Sequence, residues 1–521
     1  MKWVNGLLGL LAFAAVGTWL TAPGFIFLLD YVTGPTAAPI HSDATGLISG
    51  IPVQVLVQML ALFVPSAAIT KILILFALLL TGISSAHLAY KISHSQIIAL
   101  ACGIFFMLNP FVFNRIFMGH IYLLFGYALM PLLLMLILRY IAMPSQKKAI
   151  AVGATIALII LTSIHYIALL PIIILAFVLQ YRKNISTKIS VSHIAIAILP
   201  AVAVCASILI SAWHTPTWTG HTLQDVPASL FSLRPYCTSS LPWDTLTLSA
   251  NWRTPTLTTY PCMITPLVGI ASGLLVLVTV AGMSSRYLAL LYAGSIMLAL
   301  TVSSIPIWNP MRDSGKFLGV AALAQILLIA NAHAALRRNI VKKILGCIVI
   351  ISTTIISTAT IIALHKSIAP AQYPTSWYKW NTIFATEQIK PKVLFLPWHQ
   401  YVSFDFTNRI AVANPAPLFF TNAEIISGDN IEIMRNGIVV DTISQNPRSK
   451  EIEKILATQD TKDFTLRLQS LVQNEKITHI MLANPVQETA LQQRLSGVNI
   501  LDPQPPTPDL SVWKVVPNEN Q

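Results

Sequence analysis

The sequence predicts an all-α polytopic membrane bundle of about eleven transmembrane helices, followed by a C-terminal extracytoplasmic α/β domain. Two observations support this fold class. Of the 521 residues, 55% are hydrophobic and only 10% are charged, whereas soluble domains carry about 25% charged residues. The apolar residues also form uninterrupted runs of roughly 20 residues, the length that crosses a bilayer as a helix. A large soluble enzyme is therefore excluded.

Eleven apolar runs are long enough to be predicted as spans. The first follows a single lysine and lacks a small-residue cleavage site, which predicts a retained signal anchor. The stretch 149–181 is too long for one helix, and the basic residues at both of its ends predict a hairpin that turns near His165. The predicted spans are 3–21, 67–89, 95–113, 119–141, 149–164, 165–181, 191–213, 262–283, 286–304, 316–335 and 343–364.

Charge is distributed unevenly along the chain. Residues 1–364 carry 19 Lys and Arg against 5 Asp and Glu, whereas residues 365–521 carry 14 against 15. The excess of +13 in the whole chain therefore lies among the spans, where topology determinants belong. A nucleic-acid partner has no support in this pattern.

With the N-terminus inside, the inner connections are basic and contain no acidic residue. The inner basic residues are Lys2, Lys91, Arg139, Lys147, Lys148, Arg182, Lys183, Lys188, Arg286, Arg337, Arg338, Lys342 and Lys343. The acidic residues of this part, all in outer loops, are Asp30, Asp43, Asp225, Asp244 and Asp313. The positive-inside rule predicts a cytoplasmic N-terminus, and the odd span count predicts that residues 365–521 lie outside a plasma membrane, most simply a prokaryotic one.

The predicted domains are a transmembrane domain, 1–364, with long outer loops 22–66 and 214–261, and a soluble domain, 365–521. In the first loop, Gly50–Phe63 is apolar but too short to span, which predicts a helix at the interface or packed on the bundle. The second loop is rich in tryptophan, either for stacking on sugars or for anchoring at the interface. Its Cys237 and Cys262 are candidates for a disulfide if the loop faces an oxidising compartment.

The C-terminal domain alternates strand and helix patterns. The predicted strands are Lys392–Pro397, Arg409–Ala413, Thr478–Ala483 and Leu510–Val516, and the predicted helices are Pro447–Ala457, Thr461–Gln473 and Val486–Leu495. This part contains no phosphate-binding glycine loop, catalytic triad order or metal-ligand spacing.

Acidic residues of the first outer loop are candidates for catalysis. Asp30 opens that loop, where a carboxylate can take the proton of an incoming hydroxyl, although single acids are common at span ends. His41 and Asp43 follow closely enough to share a site, and a solvated loop explains them equally well.

Four basic side chains of the outer face are candidates for binding an anionic substrate: Arg115, His120, Arg312 and Lys316. Arginine in particular suits the phosphate of a lipid because its donors form a planar fork. Contact with lipid headgroups explains each cation separately, and Arg312 and Asp313 can simply neutralise one another. His165, at the predicted hairpin turn, is either a further substrate contact or a core histidine.

Four segments, Leu28–Pro35, Asn109–Pro131, Arg312–Phe317 and Lys392–Gly428, together with this organisation, resemble the GT-C superfamily of membrane glycosyltransferases. They are most similar to a poorly characterised prokaryotic branch near the membrane proteins of cell-wall polymer glycosylation. The resemblance implies a polyprenyl-phosphate-linked sugar donor, an extracytoplasmic acceptor (a cell-envelope glycan, lipid or protein) and inverting transfer.

Residue roles follow from the same resemblance. Asp30 corresponds to the catalytic base, with Asp43 as a second candidate, and Arg115, Arg312 and Lys316 are candidates for the lipid phosphate. Several members of the superfamily hold a divalent metal with an acidic pair in the outer loop after span 3. Here that loop contains no carboxylate, so the expectation is transfer without a metal or other cofactor.

Two other functions remain open. A non-catalytic envelope-assembly protein that binds a lipid-linked glycan agrees with the missing acidic pair. A transporter or flippase is disfavoured because no charged residue lies at a span centre and no internal repeat is evident.

Overall fold

The computed structural model describes residues 1–36, 50–186, 189–214, 231–238, 240–252, 265–305, 311, 313–407, 411–435, 438–443, 447–484 and 486–516. The chain divides into two compact units. The bundle unit comprises Met1–Thr21, Ile40–Phe63 and Lys71–Ala369, and the C-terminal unit comprises Ala22–Pro39, Val64–Thr70 and Pro370–Gln521. The division falls between Ala369 and Pro370, a few residues beyond the predicted boundary, and it assigns the start of the predicted outer loop 22–66 to the C-terminal unit.

The bundle unit contains fourteen described α-helices, which together overlap all eleven predicted spans. They are α1 Lys2–Thr21, α2 Ile51–Ala61, α3 Ser66–Ser93, α4 Gln96–Met107, α5 Pro110–Phe117, α6 Ile121–Ala142, α7 Gln146–Thr162, α8 Tyr166–Gln180, α9 Val191–His214, α10 Leu241–Leu246, α11 Thr265–Ala281, α12 Arg286–Thr301, α13 Lys316–Ala335 and α14 Asn339–Ser367. Within the described residues, eight helical stretches are long and apolar enough to cross a membrane, and α8 and α12 are shorter apolar helices. The expected all-α membrane bundle is confirmed.

Two details of the predicted bundle are also present. The hairpin within 149–181 consists of α7 and α8, joined by a turn at Ser163–His165. The apolar segment of the first outer loop forms α2, which packs on α7. Gly50 begins α2 with φ 76°, and its amide donates to the carbonyl of Leu161 at 2.7 Å.

The predicted third span is interrupted where α4 meets α5. Pro110 has no N–H and begins α5, and the Asn109 side chain accepts a hydrogen bond from the Val112 amide at 3.0 Å. The side-chain amide nitrogen Nδ2 of Asn109 donates to the backbone carbonyl of Phe105 at 2.9 Å, so a carbonyl that the break leaves without its helical partner is satisfied inside the bundle. The break therefore produces a short, fully buried helix that carries Arg115.

The C-terminal unit contains a mixed five-stranded sheet. The strands are β1 Lys392–Leu396, β2 Tyr401–Ser403, β3 Ala411–Ala413, β4 Glu424–Ile426, β5 Ile431–Arg435, β6 Ile438–Ile443, β7 His479–Ala483, β8 Leu501–Pro503 and β9 Leu510–Val515. The sheet has the order β4-β1-β7-β9-β8, in which β1 is parallel to β4 and β7, and β9 is antiparallel to β7 and β8. Two separate antiparallel pairs, β2–β3 and β5–β6, complete the strands.

Helices cover both faces of this sheet. They are α15 Thr375–Thr386, α16 Ala416–Phe419, α17 Pro447–Ala457, α18 Thr461–Glu475 and α19 Thr489–Ser496. Side chains of β1 alternate between two cores: Phe395 packs with Trp377 of α15 on one face, and Leu394 packs with Phe464 of α18 on the other. The expected α/β character of this part is therefore confirmed.

The segment after α1 is built into this unit. The amide of Phe25 donates to the carbonyl of Ala371 at 2.7 Å, and the Ala371 amide returns a bond to Phe25 at 2.9 Å. The Ala413 amide donates to the Leu29 carbonyl at 2.7 Å. Phe25 and Phe27 belong to the core that contains Trp377, so residues 22–36 are part of the packed unit.

We predict that the C-terminal unit loses stability as the pH falls from about 6.5 to about 4. His479 of β7 is 2% exposed, and burial, with Lys514, lowers its pKa to about 4, although a carboxylate oxygen of Glu387 lies 3.4 Å from Nε2. The unfolded chain binds this proton below its ordinary pKa of 6.5 and the folded chain does not. The free energy of unfolding should therefore fall by up to about 3 kcal/mol across this window and be constant above it.

The measurement is the urea concentration at which half of the C-terminal unit is unfolded, in the detergent-solubilised full chain. Unfolding is monitored by susceptibility to protease cleavage and is repeated at several pH values. The H479Q variant should lose most of the slope between pH 6.5 and 4 relative to the wild type. An unchanged slope in that variant would contradict the assignment to His479.

Candidate functional site

Charged side chains of the bundle unit converge where α5 and α6 meet the start of α13. Arg115 of α5 binds Asp313 through both carboxylate oxygens, with Nη1–Oδ2 at 2.5 Å and Nη2–Oδ1 at 3.3 Å. The Lys316 Nζ lies 3.7 Å from the same Oδ2. Only 3% of the Arg115 side chain and 8% of the Asp313 side chain are exposed. We call Arg115, His120, Asp313 and Lys316 the Arg115 cluster.

His120 is oriented by the same guanidinium. Its Nδ1 lies 2.9 Å from Arg115 Nη1. A guanidinium can only donate hydrogen bonds, so Nδ1 accepts and the neutral imidazole carries its proton on Nε2. His120 therefore presents an N–H donor on the side of the ring away from Arg115.

Gly315 leaves room for the end of the Arg115 side chain. A Cβ atom at Gly315 would lie 2.5 Å from Arg115 Nη2 and 3.1 Å from Asp313 Oδ1. The ring of Phe111, one helical turn before Arg115, lies 5.2 Å from the guanidinium carbon. Gly315 and Phe111 thus leave the guanidinium in one position between the carboxylate and a ring.

The electrostatics of the cluster favour a bound anion. Burial alone would raise the pKa of Asp313, but Arg115 and Lys316 outweigh it and hold that pKa well below its ordinary value. Within the described residues, two cations share one ionised carboxylate, and these three groups sum to a positive charge. The Nε of Arg115 is buried without a hydrogen-bond partner in the described part of the chain. Both features suit an anionic oxygen.

A narrow apolar crevice, with no room for even a water molecule, adjoins the cluster. Its lining comprises Phe111, Leu123, Tyr127, Met130, Tyr166, Leu169, Lys316, Gly319 and Val320. Lys316 is the one cation in this lining, so a cation and an apolar aromatic wall face the same small space.

The cluster does not suit a divalent cation. Both oxygens of Asp313 are bonded to the Arg115 guanidinium, and Lys316 stands beside them. A metal ion would have to displace two cations from the carboxylate, so these residues do not fit the metal site found in several GT-C enzymes.

Asp30 belongs to the C-terminal unit. α1 ends at Thr21, so Asp30 does not lie at the end of the first span, as the sequence interpretation had it, but in the segment hydrogen-bonded to the sheet region. Its side chain is exposed, and the hydroxyl of Tyr401 on β2 donates to Asp30 Oδ1 at 2.7 Å. This bond holds one carboxylate oxygen and leaves the group accessible to solvent.

His165 lies near the Arg115 cluster without sharing its hydrogen bonds. Burial lowers the pKa of His165 well below its ordinary value, and the charges of all four cluster residues also act on that pKa. Its Nδ1 lies 2.9 Å from the hydroxyl of Ser163 in the α7–α8 turn. Cys237 is disulfide-bonded, and the three free cysteines are Cys102, Cys205 and Cys347. Its predicted partner Cys262 lies outside the described residues, as do His41, Asp43 and Arg312.

Asp313 and Asp244 have roles that sequence reasoning did not assign. Asp313 is paired with Arg115 and Lys316. Because 198 residues separate Asp313 from Arg115, no local sequence pattern predicts their contact. The buried Asp244 accepts hydrogen bonds from the amides of Tyr236, Cys237 and Thr238 at 2.6, 2.8 and 3.0 Å. Asp244 therefore organises the loop that carries the disulfide-bonded cysteine.

Comparison with known proteins identifies the fold. The chain matches no protein-family model and no curated protein sequence. Arabinofuranosyltransferase AftD from Mycobacteria matches with a TM-score of 0.58 at 12% identity, over 100% of this chain and 40% of that chain. The oligosaccharyltransferase AglB from Archaeoglobus fulgidus, in complex with an inhibitory peptide and a dolichol-phosphate, gives a TM-score of 0.49 at 10% identity, over 98% and 73%.

The chain therefore shares a fold with arabinofuranosyltransferase AftD, although it spans only 40% of the length of that chain. The resemblance inferred from sequence is confirmed at the level of fold.

We predict that D313N destabilises the bundle unit by about 3 to 5 kcal/mol, because it leaves the buried Arg115 guanidinium without its counterion. D30N is the matched control: it makes the same substitution at an exposed carboxylate and should change stability by less than about 0.5 kcal/mol. Thermal unfolding in detergent compares the two variants with the wild type. Equal melting temperatures for D313N and wild type would show that the Arg115 guanidinium does not depend on Asp313 as its counterion.

Proposed function

We propose that this chain, which shares its fold with a GT-C membrane glycosyltransferase, transfers a sugar from a polyprenyl-phosphate donor to an extracytoplasmic acceptor. The observation that supports the proposal most directly is the Arg115 cluster, a buried group in which two cations contact one carboxylate beside an apolar, partly aromatic wall. A lipid-linked sugar phosphate combines an anionic group with an apolar chain, and the cations and the apolar wall match these two parts in chemistry.

The charge of the cluster suits the leaving group. A polyprenyl-phosphate sugar is a phosphodiester with one negative charge, and the polyprenyl phosphate that departs becomes a dianion. Lys316 and the free donor at Arg115 Nε can stabilise the charge that develops on the departing oxygen. Asp313 acts as a positioning residue, because it holds both cations without cancelling their combined charge.

The transfer step is a single displacement. The acceptor hydroxyl gives its proton to a carboxylate base, and its oxygen forms a bond to the anomeric carbon. The bond from that carbon to the phosphate oxygen breaks, and its electron pair leaves with the polyprenyl phosphate. The configuration at the anomeric carbon inverts. Asp30 is the candidate base, on the strength of the sequence resemblance and of its solvent-accessible carboxylate.

The alternative function, an envelope-assembly protein that binds a lipid-linked glycan without transfer, uses the same cluster. The hydrogen bond from Tyr401 to Asp30 is the observation that favours it, because Tyr401 occupies an oxygen that an acceptor hydroxyl would otherwise contact. Binding and transfer must therefore be measured separately.

We predict that K316Q lowers the rate of sugar transfer about 100-fold, because it removes a cation that acts on the developing phosphate charge. Transfer is measured with membranes and a panel of radiolabelled polyprenyl-phosphate sugars. K366Q removes an exposed lysine near the end of α14 and should transfer normally. Equal rates for K316Q and K366Q would argue against a phosphate role for Lys316.

We also predict that D30N abolishes transfer while donor binding and membrane level stay as in the wild type, since an amide cannot take the acceptor proton. Normal transfer by D30N would remove Asp30 from the mechanism. A wild-type chain that binds donor and transfers nothing to any acceptor tested would support the alternative function.

A further inference from the structure

Two arginines converge on one tyrosine at the other end of the bundle, apart from the Arg115 cluster. Arg182 follows α8, and Arg286 begins α12. Their guanidinium carbons lie 5.9 Å and 4.8 Å from the centre of the Tyr287 ring. Both also donate to the Tyr287 hydroxyl, Arg182 Nη1 at 3.4 Å and Arg286 Nη2 at 3.0 Å. The ring therefore holds two like charges close together.

This pair has no protein counterion in the described part of the chain. Neither Arg182 nor Arg286 forms an ion pair there with a carboxylate, and the sequence around each, 181–190 and 282–287, contains no acidic residue. Each guanidinium has five N–H donors and uses one on Tyr287, so most of its donors remain available. Two adjacent cations with available donors match the oxygens of a phosphate group.

An apolar groove continues from the arginine pair along the same helix face. Arg286, Leu290, Gly294 and Leu298 follow at intervals of four residues and so lie on one side of α12. The last three line a shallow groove of about 50 Å³, together with Leu169 and Ile172 of α8 and with residues of α13.

Space in this groove is open. A Cβ atom at Gly294 would have no neighbour within 4 Å, and Leu290 is 67% exposed. From Arg286 to Leu298 the helix rises about 18 Å, close to the half-thickness of about 15 Å of a hydrocarbon core.

We infer that the α8–α12 face binds one anionic phospholipid, with its phosphate on Arg182 and Arg286 and an acyl chain in the groove. The charge pattern of the chain predicts that this end faces the cytoplasm, where anionic lipids attract basic side chains. The occupant is a membrane lipid rather than free phosphate, because the cations and the groove form one continuous amphipathic surface.

The test is native mass spectrometry of the detergent-solubilised full chain with added phosphatidylglycerol or phosphatidylcholine. The wild type should retain one phosphatidylglycerol and at least tenfold less phosphatidylcholine. R182Q/R286Q should lose at least tenfold of this retention. K342Q/K343Q removes the same charge at the start of α14 and should retain the lipid as the wild type does.

Two further variants test the Tyr287 ring and the groove while leaving both arginines unchanged. Y287L keeps both arginines but removes the ring that holds them, and should lower retention about threefold. G294L fills the open groove without changing any charge and should also lower phosphatidylglycerol retention.

Several results would overturn the inference: equal retention of the two lipids, full retention by R182Q/R286Q or by G294L, or displacement of phosphatidylglycerol by inorganic phosphate at equal concentration. None of these measurements involves sugar transfer, so their outcome is independent of the proposed function.

Discussion

The ion pair between Arg115 and Asp313 is the interaction on which the candidate site depends. It joins the short helix α5 to the residues that begin α13, and both partners are buried. Each feature nearby supports it: the break at Pro110 produces α5, Gly315 allows the close approach, and the shared guanidinium orients His120. A buried pair of this kind stabilises little by itself, but loss of either partner leaves an isolated charge. The pair therefore specifies one arrangement of these segments.

Much of the fold was predictable from the sequence because a bilayer demands long apolar helices and little else. In the C-terminal unit, short apolar runs predicted β1, β7 and β9, whose side chains pack on both faces of the sheet. The strands β2, β4 and β8 have only three residues each, too few for an alternating pattern that would predict a strand. They form because other strands pair with them in the folded unit. α15 was missed although Trp377, Trp380 and Phe384 are spaced as one face of a helix.

The candidate site was predictable in its residue types but not in its pairing. Arg115, His120 and Lys316 were identified because basic residues are rare at the predicted outer face, and the structure brings these three together. The sequence interpretation left open that Asp313 neutralises its neighbour Arg312, which lies outside the described residues, and it did not anticipate the pair with the distant Arg115. Tyr401 was missed for the same reason, since its partner Asp30 precedes it by 371 residues. Local patterns identify charges but not the partners that tertiary contacts select.

The contacts of Phe25 and Leu29 with Ala371 and Ala413 set an order of events during synthesis. The ribosome makes the N-terminal part of this pairing more than 300 residues before its partners emerge, and the bundle helices must insert in between. Phe25 and Phe27 therefore remain unsheltered on the nascent chain until the last unit is made. A chain truncated before Pro370 would keep these aromatic side chains exposed permanently, which marks it for recognition by chaperones and membrane proteases.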